Sequence, residues 1–379
     1  MTKYKFDEIA INSTQKKKPT EEDKVYYIGL EHIDPGCFDV VRWGSDVAPT
    51  GDKLLMQKGD VLFGKRRAYQ RKVAIAPFDG IFSAHGMVLR PNLKVIDANY
   101  FPFFISSDKF METAVRISVG GLSPTINWKD LARQEFELPS LDEQKVLADK
   151  LWAAYRLKEA YKKLLVATDE MVKSQFIEMF GNPLSLNQKN ELKRLGECCI
   201  LNPRRPNIAL CDTDKVSFIP MSAISEEGYL ADMTDEEYGK VKKGFTYFEN
   251  NDVLFAKITP CMENGKGAIV HGLTNRIGMG STEFHVLRPI NGISSPYWLL
   301  ALTRMPIFRE RAAKNMSGTG GQKRVSASYL DHFMVGLPAI EEQRRFEAIY
   351  KQADKSKSVI QKALVYLNDI QSDELGKIA

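Results

Sequence analysis

The sequence contains few of the residues from which metal and disulfide sites are built. Among its 379 residues there are five cysteines and five histidines, and none of them falls in a CxxC, HxxxH or HExxH spacing. The cysteines are too few and too scattered for a disulfide framework, and paired metal-ligand spacings are missing. We therefore expect no bound metal.

Long hydrophobic runs are also missing. No apolar segment approaches the roughly 18 residues that a membrane span requires, and residues 1–18 lack the apolar region of a signal peptide. We expect a cytoplasmic protein without a membrane partner. A length of 379 residues favours two domains. The net charge of +5 is compatible with a polyanionic partner but does not imply one.

Cofactor and catalytic motifs are missing as well. No GxGxxG follows a strand and opens a helix, and no GxSxG occurs. Residues 318–323 superficially resemble a phosphate loop, but Arg324 stands where the magnesium-binding hydroxyl would be. The Asn-Pro pairs at 182–183 and 202–203 lack the second proline and the aromatic residue of an adenine-methyltransferase tetrapeptide. We expect neither a catalytic site nor a cofactor in this chain.

What the sequence does contain is an internal repeat. Three segments recur in the same order: DVLF at 60–63 and 252–255, VLRP at 88–91 and 286–289, and LPxxxEQ at 138–144 and 337–343. Tyr27-Ile28 also corresponds to Phe218-Ile219, and the offset grows only from about 191 to 199 residues. Matches in one order across more than a hundred residues indicate a tandem duplication with short loop insertions.

Both copies have the same expected elements. Short runs rich in Val, Ile, Phe and Tyr predict strands: Lys24–Ile33, Val61–Gly64 and Val73–Ala76, and in the second copy Val216–Ile219, Val253–Phe255 and Ala268–Val270. An amphipathic segment then predicts a helix at Tyr100–Ile117 and at Tyr297–Asn315. A glycine-containing loop follows at 118–125 and at 317–324, and each copy ends in LPxxxEQ and a long helix.

The long helices carry a heptad pattern typical of a coiled coil. The expected seam comprises Leu147, Ala154, Leu157, Tyr161, Leu164, Thr168 and Met171, together with Phe346, Ala353, Ser356, Ile360, Ala363, Leu367 and Ile370. Each helix could be a dimerisation arm, but two seams in one chain favour an intramolecular antiparallel pair. Gly181-Asn182-Pro183 is expected to end the first helix.

The predicted fold class is therefore α+β, with two similar mixed α/β modules separated by two long helices in an antiparallel coiled coil, related by a pseudo-two-fold repeat. We expect a first module at 1–140, a central helix at 141–183, a second module at 184–337 and a C-terminal helix at 338–379.

Polar and basic residues cluster where the loops of each module are expected. Such residues suit DNA, which needs cations for phosphates and side chains that reach base edges. The candidates are Lys65, Arg66, Arg67, Arg71, Lys72 and Lys129 in the first module, and Lys257, Lys266, Ser317, Thr319, Gln322, Lys323 and Arg324 in the second. Any single one of them could equally be a solvated surface charge. The framework is shared while these polar tips differ, as expected of modules that read different sequences.

These repeated segments, with Ser174-Gln175-Phe176 leading into Gly181-Asn182-Pro183, resemble the specificity subunits of Type I restriction–modification systems. The resemblance implies that each module is a target recognition domain reading one half of a bipartite double-stranded DNA target. It also implies that the helices set the spacing and dock two methyltransferase subunits, in a complex that includes motor-nuclease subunits. S-adenosylmethionine and ATP would then bind the partners and not this chain.

Two other functions fit the sequence less well. One is a coiled-coil scaffold without DNA specificity, which would show no salt-dependent binding to duplex DNA. The other is a standalone DNA-modifying enzyme with unrecognised motifs, which would transfer methyl groups or cleave DNA without partners.

Overall fold

A computed structural model describes residues 1–181, 190–319 and 321–376 of the chain. It divides into two compact units, the first formed by Met1–Lys163 with Ile360–Ala379 and the second by Leu164–Val359. Each unit therefore contains one module and a half of each long helix. None of the described helices combines the length and the apolar character that a membrane crossing needs.

The first module is built mainly from short strands. Its strands are Thr2–Lys5, Ala10–Ser13, Lys16–Lys17, Tyr27–Ile28, Lys53–Met56, Val61–Phe63, Val73–Ile75, Gly80–Phe82, Met87–Pro91 and Glu135–Leu138. Its α-helices are Phe6–Ile9, Phe101–Ser106, Asp108–Arg116 and Trp128–Ala132, and its 3₁₀ turns are Glu22–Tyr26, Leu30–His32 and Ala68–Gln70.

The second module has a similar order of elements, with an additional helix at Tyr238–Val241. Its strands are Glu191–Arg194, Cys199–Leu201, Lys215–Ile219, Thr234–Glu237, Thr246–Glu249, Val253–Ala256, Gly267–Ile269, Ile277–Gly280, Phe284–Pro289 and Met334–Leu337. Its α-helices are Leu195–Cys198, Tyr238–Val241, Pro296–Arg304, Pro306–Lys314 and Ala327–Asp331, and its 3₁₀ turns are Met221–Ala223 and Thr274–Arg276.

The strands of the two modules pair alike except for one edge strand in each. Lys16–Lys17 joins Lys53–Met56 in the first module, whereas Thr234–Glu237 joins Lys215–Ile219 in the second. In each module, the strand carrying DVLF lies antiparallel to the strand carrying VLRP, so that Val61 faces Leu89 in the first module and Val253 faces Leu287 in the second. Each module also has a second four-stranded sheet containing one parallel pair, Tyr27–Ile28 with Gly80–Phe82 or Lys215–Ile219 with Ile277–Gly280. The predicted duplication is therefore a duplication of fold.

The charged residues of the repeated DVLF and VLRP segments make the same contact in both modules. Arg90 donates from Nε and Nη2 to the Asp60 carboxylate at 2.7 and 2.9 Å. Arg288 makes the same paired contact with Asp252 at 2.8 Å for both bonds, and it also reaches Glu249 at 2.9 Å. Bidentate hydrogen bonds between arginine and a carboxylate are strong and directional. These motif residues therefore hold adjacent strands together.

The glutamine of LPxxxEQ explains the third repeated segment. Gln144 is fully buried; its Oε1 accepts from Asp97 N at 2.8 Å, and its Nε2 donates to the carbonyls of Val95 at 3.1 Å and Pro139 at 2.9 Å. Gln343 makes the corresponding three bonds to Ser295, Ile293 and Pro338. A buried backbone group must find a partner, and here the glutamine supplies it. The motif therefore fastens each long helix to a module.

The predictions for one strand and for the two amphipathic helices need correction. The strand expected at Lys24–Ile33 is limited to Tyr27–Ile28, because Gly29 opens a turn in which its N–H donates to His32 Nδ1 at 2.9 Å. Each of the single helices expected at Tyr100–Ile117 and Tyr297–Asn315 is a pair of helices. The first pair breaks at Ser107, whose hydroxyl caps the next helix by accepting from Phe110 N at 3.3 Å.

The long helices are continuous over Leu141–Phe180 and Ile340–Gly376 and form the predicted antiparallel pair. In the second unit, Val172 and Phe176 near the end of the first long helix share a core with Phe346 and Tyr350 near the start of the second. In the first unit, Leu375 packs against the core that contains Ala148 and Leu151. Of the expected helix end, Asn182 and Pro183 lie outside the described residues.

The predicted seam is out of register on the first long helix. Leu157, Leu164 and Met171 are 45%, 48% and 42% exposed, and the buried positions lie one residue later, at Ala148, Tyr155 and Val172. One residue turns a helix by about 100°. The helix packs on a module as well as on its partner helix: the backbone N–H of Phe38 donates to Tyr155 Oη at 2.9 Å. A heptad pattern describes packing between helices and does not include the contacts of a helix with a module.

The remaining seam residues have some burial. On the second long helix Phe346, Ala353, Ile360 and Leu367 are buried. The other seam residues are half-buried: Leu147, Ala154, Tyr161, Thr168, Ser356, Ala363 and Ile370.

Lysines lie at equivalent positions of the long helices in the two units. Lys357 donates to Asp169 at 2.9 Å in the second unit, and Lys158 donates to the uncharged Gln371 at 3.4 Å in the first.

Candidate nucleic-acid interface

The glycine-containing loop of the first module closes on itself and lies against the end of the DVLF strand. Val119 and Thr125 exchange backbone hydrogen bonds at 3.0 and 2.9 Å across the loop. Beyond that strand, Arg67 N donates to Pro124 O at 2.7 Å and Lys65 O accepts from Ile126 N at 3.0 Å. These bonds bring the basic segment and the glycine loop together on one surface.

The second module builds the same junction. Ser317 and Arg324 exchange backbone hydrogen bonds at 3.0 and 2.8 Å, and Lys257 O accepts from Val325 N at 3.0 Å. The bridge from Ile258 to Arg324 matches the bridge from Arg66 to Thr125 in the first module. Candidates that are distant in the sequence therefore meet in both modules.

Cations concentrate at this junction in the first module. Arg66 Nη1 lies 3.4 Å from His85 Nε2. Burial lowers the pKa of His85, and the neighbouring Arg66, Lys65 and Lys53 lower it further, so its imidazole is neutral at pH 7. Burial also lowers the pKa of Lys65, and Lys16 adds to this effect. A group of like charges held so closely favours an anionic ligand.

Arg67 is held by its side edge, the edge formed by Nε and one Nη. Both nitrogens donate to Ser123 Oγ in the glycine loop, at 3.2 and 3.0 Å. The residue has a left-handed backbone, with φ of 57°, which is uncommon for a residue other than glycine. Its partner is neutral, so the contact positions the guanidinium without cancelling its charge.

The other basic candidates of the first module point elsewhere. Arg71 pairs with Asp108 at 2.6 Å and donates to Ser106 O at 2.9 Å. Lys72 Nζ donates to Leu30 O at 2.6 Å. Both cations are thus directed at atoms of their own module, whereas Lys129 is exposed on the short helix that follows the glycine loop.

Arg324 forms an ion pair in the second module. Its Nε and Nη2 donate to the carboxylate of Glu283 at 2.9 and 2.8 Å, again through the side edge. The hydrogen bonds from Arg324 lower the pKa of Glu283, which is therefore ionised at pH 7. By strand register Glu283 is the counterpart of His85, because Phe63 faces Met87 and Phe255 faces His285. The two modules thus place opposite charge at one position.

The remaining candidates of the second module surround this pair. Lys257 and Lys266 are half-buried, and Ser317, Thr319, Gln322 and Lys323 are exposed. Lys323 accepts from Thr259 N through its backbone carbonyl at 3.0 Å, which leaves its side chain on the surface. Gly320, in the middle of the loop, lies outside the described residues.

Sequence reasoning missed the acceptors that hold the two arginines, Ser123 and Glu283. Neither is basic, so a search for cations passes over them. Aligning the copies residue by residue would have placed His85 opposite Glu283 and pointed to this position. Among the described residues, no group of three or more His, Cys, Asp or Glu side chains is arranged to hold a metal ion.

Comparison with known proteins identifies the repeat. The model for the Type I restriction modification DNA specificity domain matches residues 3–165 and 187–365. The Type I restriction enzyme EcoEI specificity subunit of Escherichia coli is 35% identical over 172 residues, which are 45% of this chain and 28% of that subunit. The EcoAI subunit is 41% identical over 135 residues, 35% of this chain and 23% of that relative. The matches to these two relatives thus span less than a third of their length.

Longer similarities are weaker in sequence. The EcoKI specificity subunit of Escherichia coli is 21% identical over 388 residues, covering 94% of this chain and 82% of that subunit. The crystal structure of a Type I restriction–modification S subunit from M. genitalium covers 100% of this chain and 95% of its own, with a TM-score of 0.61 and 16% identity. That likeness is one of fold. With both of its modules matched by the family model, this chain belongs to the Type I restriction modification DNA specificity domain family.

Proposed function

We propose that this chain is the DNA-reading subunit of a Type I restriction–modification complex and has no catalytic site of its own. Each module reads one half of a bipartite target in double-stranded DNA. The observation that carries the proposal is the repeated junction between the basic segment and the glycine loop, which has one backbone architecture and different side chains in the two modules. A shared framework with different polar tips suits two modules that recognise different sequences.

The long helices set the spacing between the half-sites and dock two methyltransferase subunits, with motor-nuclease subunits joining the complex. A continuous helix of 40 residues is about 60 Å long at 1.5 Å per residue. Rigid spacing of two readers fixes the spacing of two half-sites, as it does in dimeric DNA-binding proteins. Because the two modules differ, the target need not be palindromic.

The test is module exchange within the assembled complex. The chain is produced with its methyltransferase subunits, and methylated adenines are mapped in DNA. Replacing residues 1–140 by the first module of another family member should change one half of the target and leave the other half intact. Loss of both halves, or methylation without sequence preference, would contradict the proposal. Methyl transfer by the chain alone would favour a standalone enzyme.

A second measurement separates DNA reading from a scaffold function. Phosphate contacts make binding fall steeply with salt, so Lys65→Ala with Arg66→Ala should weaken duplex binding and flatten its salt dependence. Lys94→Ala is the control. Lys94 is exposed and follows Pro91, whereas the junction lies at the Met87 end of the strand Met87–Pro91. If both variants bind equally well, the junction does not contact DNA.

A further inference from the structure

Arg324 is placed to do more than neutralise phosphate. A guanidinium has two edges that can each donate a pair of hydrogen bonds. Glu283 occupies the side edge, through Nε at 2.9 Å and Nη2 at 2.8 Å. The end edge, formed by Nη1 and the second N–H of Nη2, is not used in this contact, and the side chain is 40% exposed.

The ion pair makes a phosphate an unfavourable ligand for this arginine. Glu283 and Arg324 together carry no net charge, and the carboxylate repels an approaching phosphate. Base-edge recognition depends instead on the geometry of the donors, and the end edge of arginine matches O6 and N7 of guanine in the major groove. Holding the side edge also reduces the freedom that the side chain would lose on binding.

The first module provides the contrast. Arg67 is held through the same edge, but its partner is the neutral hydroxyl of Ser123. The neighbouring Arg66 adds a charge where the second module has Ile258. That site keeps its positive charge and suits a phosphate. The two modules thus hold an arginine in similar ways and give it different electrostatic surroundings.

We propose that Arg324, oriented by Glu283, reads a guanine in the half-site of the second module, with Arg324 as the specificity-determining residue and Glu283 as its positioning residue. This inference rests on the proposed function and deepens it, because it assigns one base to one side chain.

The experiment selects bound duplexes from a library randomised in both half-sites, using the complex of this chain with its methyltransferase subunits. The wild-type complex should show guanine at one position of the second half-site. Arg324→Ala and Arg324→Lys should both reduce that preference by about ten- to a hundred-fold and leave every other position unchanged. Lysine keeps the charge but lacks the planar fork of donors that Glu283 orients, so the conservative variant separates geometry from charge.

Two further variants complete the test. Glu283→Gln should weaken the guanine preference less than Arg324→Ala, because an amide offers one acceptor oxygen where the carboxylate offers two. Lys323→Ala is the neighbouring control and should lower the affinity for all sequences equally, with a flatter salt dependence. Circular dichroism and thermal unfolding verify that each variant is folded.

The outcomes distinguish a failure of the inference about Arg324 from a failure of the proposed function. If Arg324→Ala weakens all sequences equally and keeps the base preference, Arg324 contacts phosphate and the inference is overturned while the proposed function stands. If the folded wild-type complex selects no sequence at all, the proposed function fails and takes the inference with it.

Discussion

The two modules share their interior contacts and differ at their loop tips. Arg90 with Asp60 matches Arg288 with Asp252, and Gln144 matches Gln343 bond for bond. At the junction, by contrast, His85 faces Arg66 in one module and Glu283 faces Arg324 in the other. The repeated sequence motifs therefore contain the residues that make the interior contacts shared by both modules. The residues that give each module its own chemistry lie between the motifs, at positions where the copies disagree.

The interior contacts themselves are not equal in strength. Arg288 bonds a third residue, Glu249, and is 23% exposed, with Asp252 at 1%. Arg90 is 35% exposed and Asp60 is 7% exposed. Solvent screens the first module's pair more, so the same contact supports the second module more strongly.

The largest effect is expected from removing these arginines. Arg288→Ala leaves the Asp252 carboxylate buried without its partner, and breaking such a buried pair lowers the free energy of unfolding by about 3–5 kcal/mol. Arg90→Ala should lower it by less than half as much. Hydrogen exchange in peptides from each module measures the two changes separately. Equal losses of unfolding free energy in the two modules would show that the additional bond from Arg288 to Glu249 does not stabilise the second module.

The second test concerns the glutamines. Gln144→Ala and Gln343→Ala each leave buried backbone groups unpaired, which lowers the free energy of unfolding by about 2–3 kcal/mol. Because the bonds correspond one to one, the two variants should behave alike in denaturant titrations. A clear difference would mean that the equivalence of the modules ends where the long helices begin.

The third test exploits the lysines of the helix pair. Burial lowers the pKa of Lys158, whose acceptor is the neutral Gln371. Gln371→Glu supplies a charge and should raise both the pKa of Lys158 and the stability of the first unit, the latter by less than about 1 kcal/mol. Asp169→Asn removes the carboxylate that pairs with the Lys357 ammonium and should destabilise the second unit by about 1–2 kcal/mol. Thermal unfolding of both variants measures these opposite changes, and a shift in the same direction would contradict the comparison.

The smallest effect is a pH dependence. His285 is buried, and burial lowers its pKa below the usual value near 6.5. The unfolded chain therefore binds the proton more readily, and the stability of the second module should fall as the pH drops below about 6.5. His285→Gln should remove that part of the decline between pH 7.5 and 5. His85 is much less buried than His285, so His85→Gln should change the slope less. The reverse order in urea titrations would show that burial is not the cause.

The sequence predicted most of the frame. The first long helix spans Leu141–Phe180, as the repeat and its flanking residues indicate, because helix-starting and helix-ending signals are local. The strands around DVLF and VLRP could also be predicted from the sequence, because their apolar runs are short and bounded by turn residues. Local patterns were sufficient for these elements.

The sequence did not predict contacts made across space. The seam was displaced by one residue because burial of Tyr155 depends on Phe38, which is more than a hundred positions away in the chain. The arginine acceptors were missed for the same reason: Arg67 meets Ser123, and Arg324 meets Glu283, only after the glycine loop has folded against the strand end. No local pattern encodes such a meeting.

The division into units has a consequence for the order in which the two units can complete their folding during synthesis. The second unit is the uninterrupted segment Leu164–Val359, whereas the first needs Ile360 and the residues after it. Leu375 packs in the same core as Phe6, close to the opposite end of this sequence. During synthesis, the unit whose chain emerges first from the ribosome must therefore wait, with part of its core uncovered, until the other has been completed.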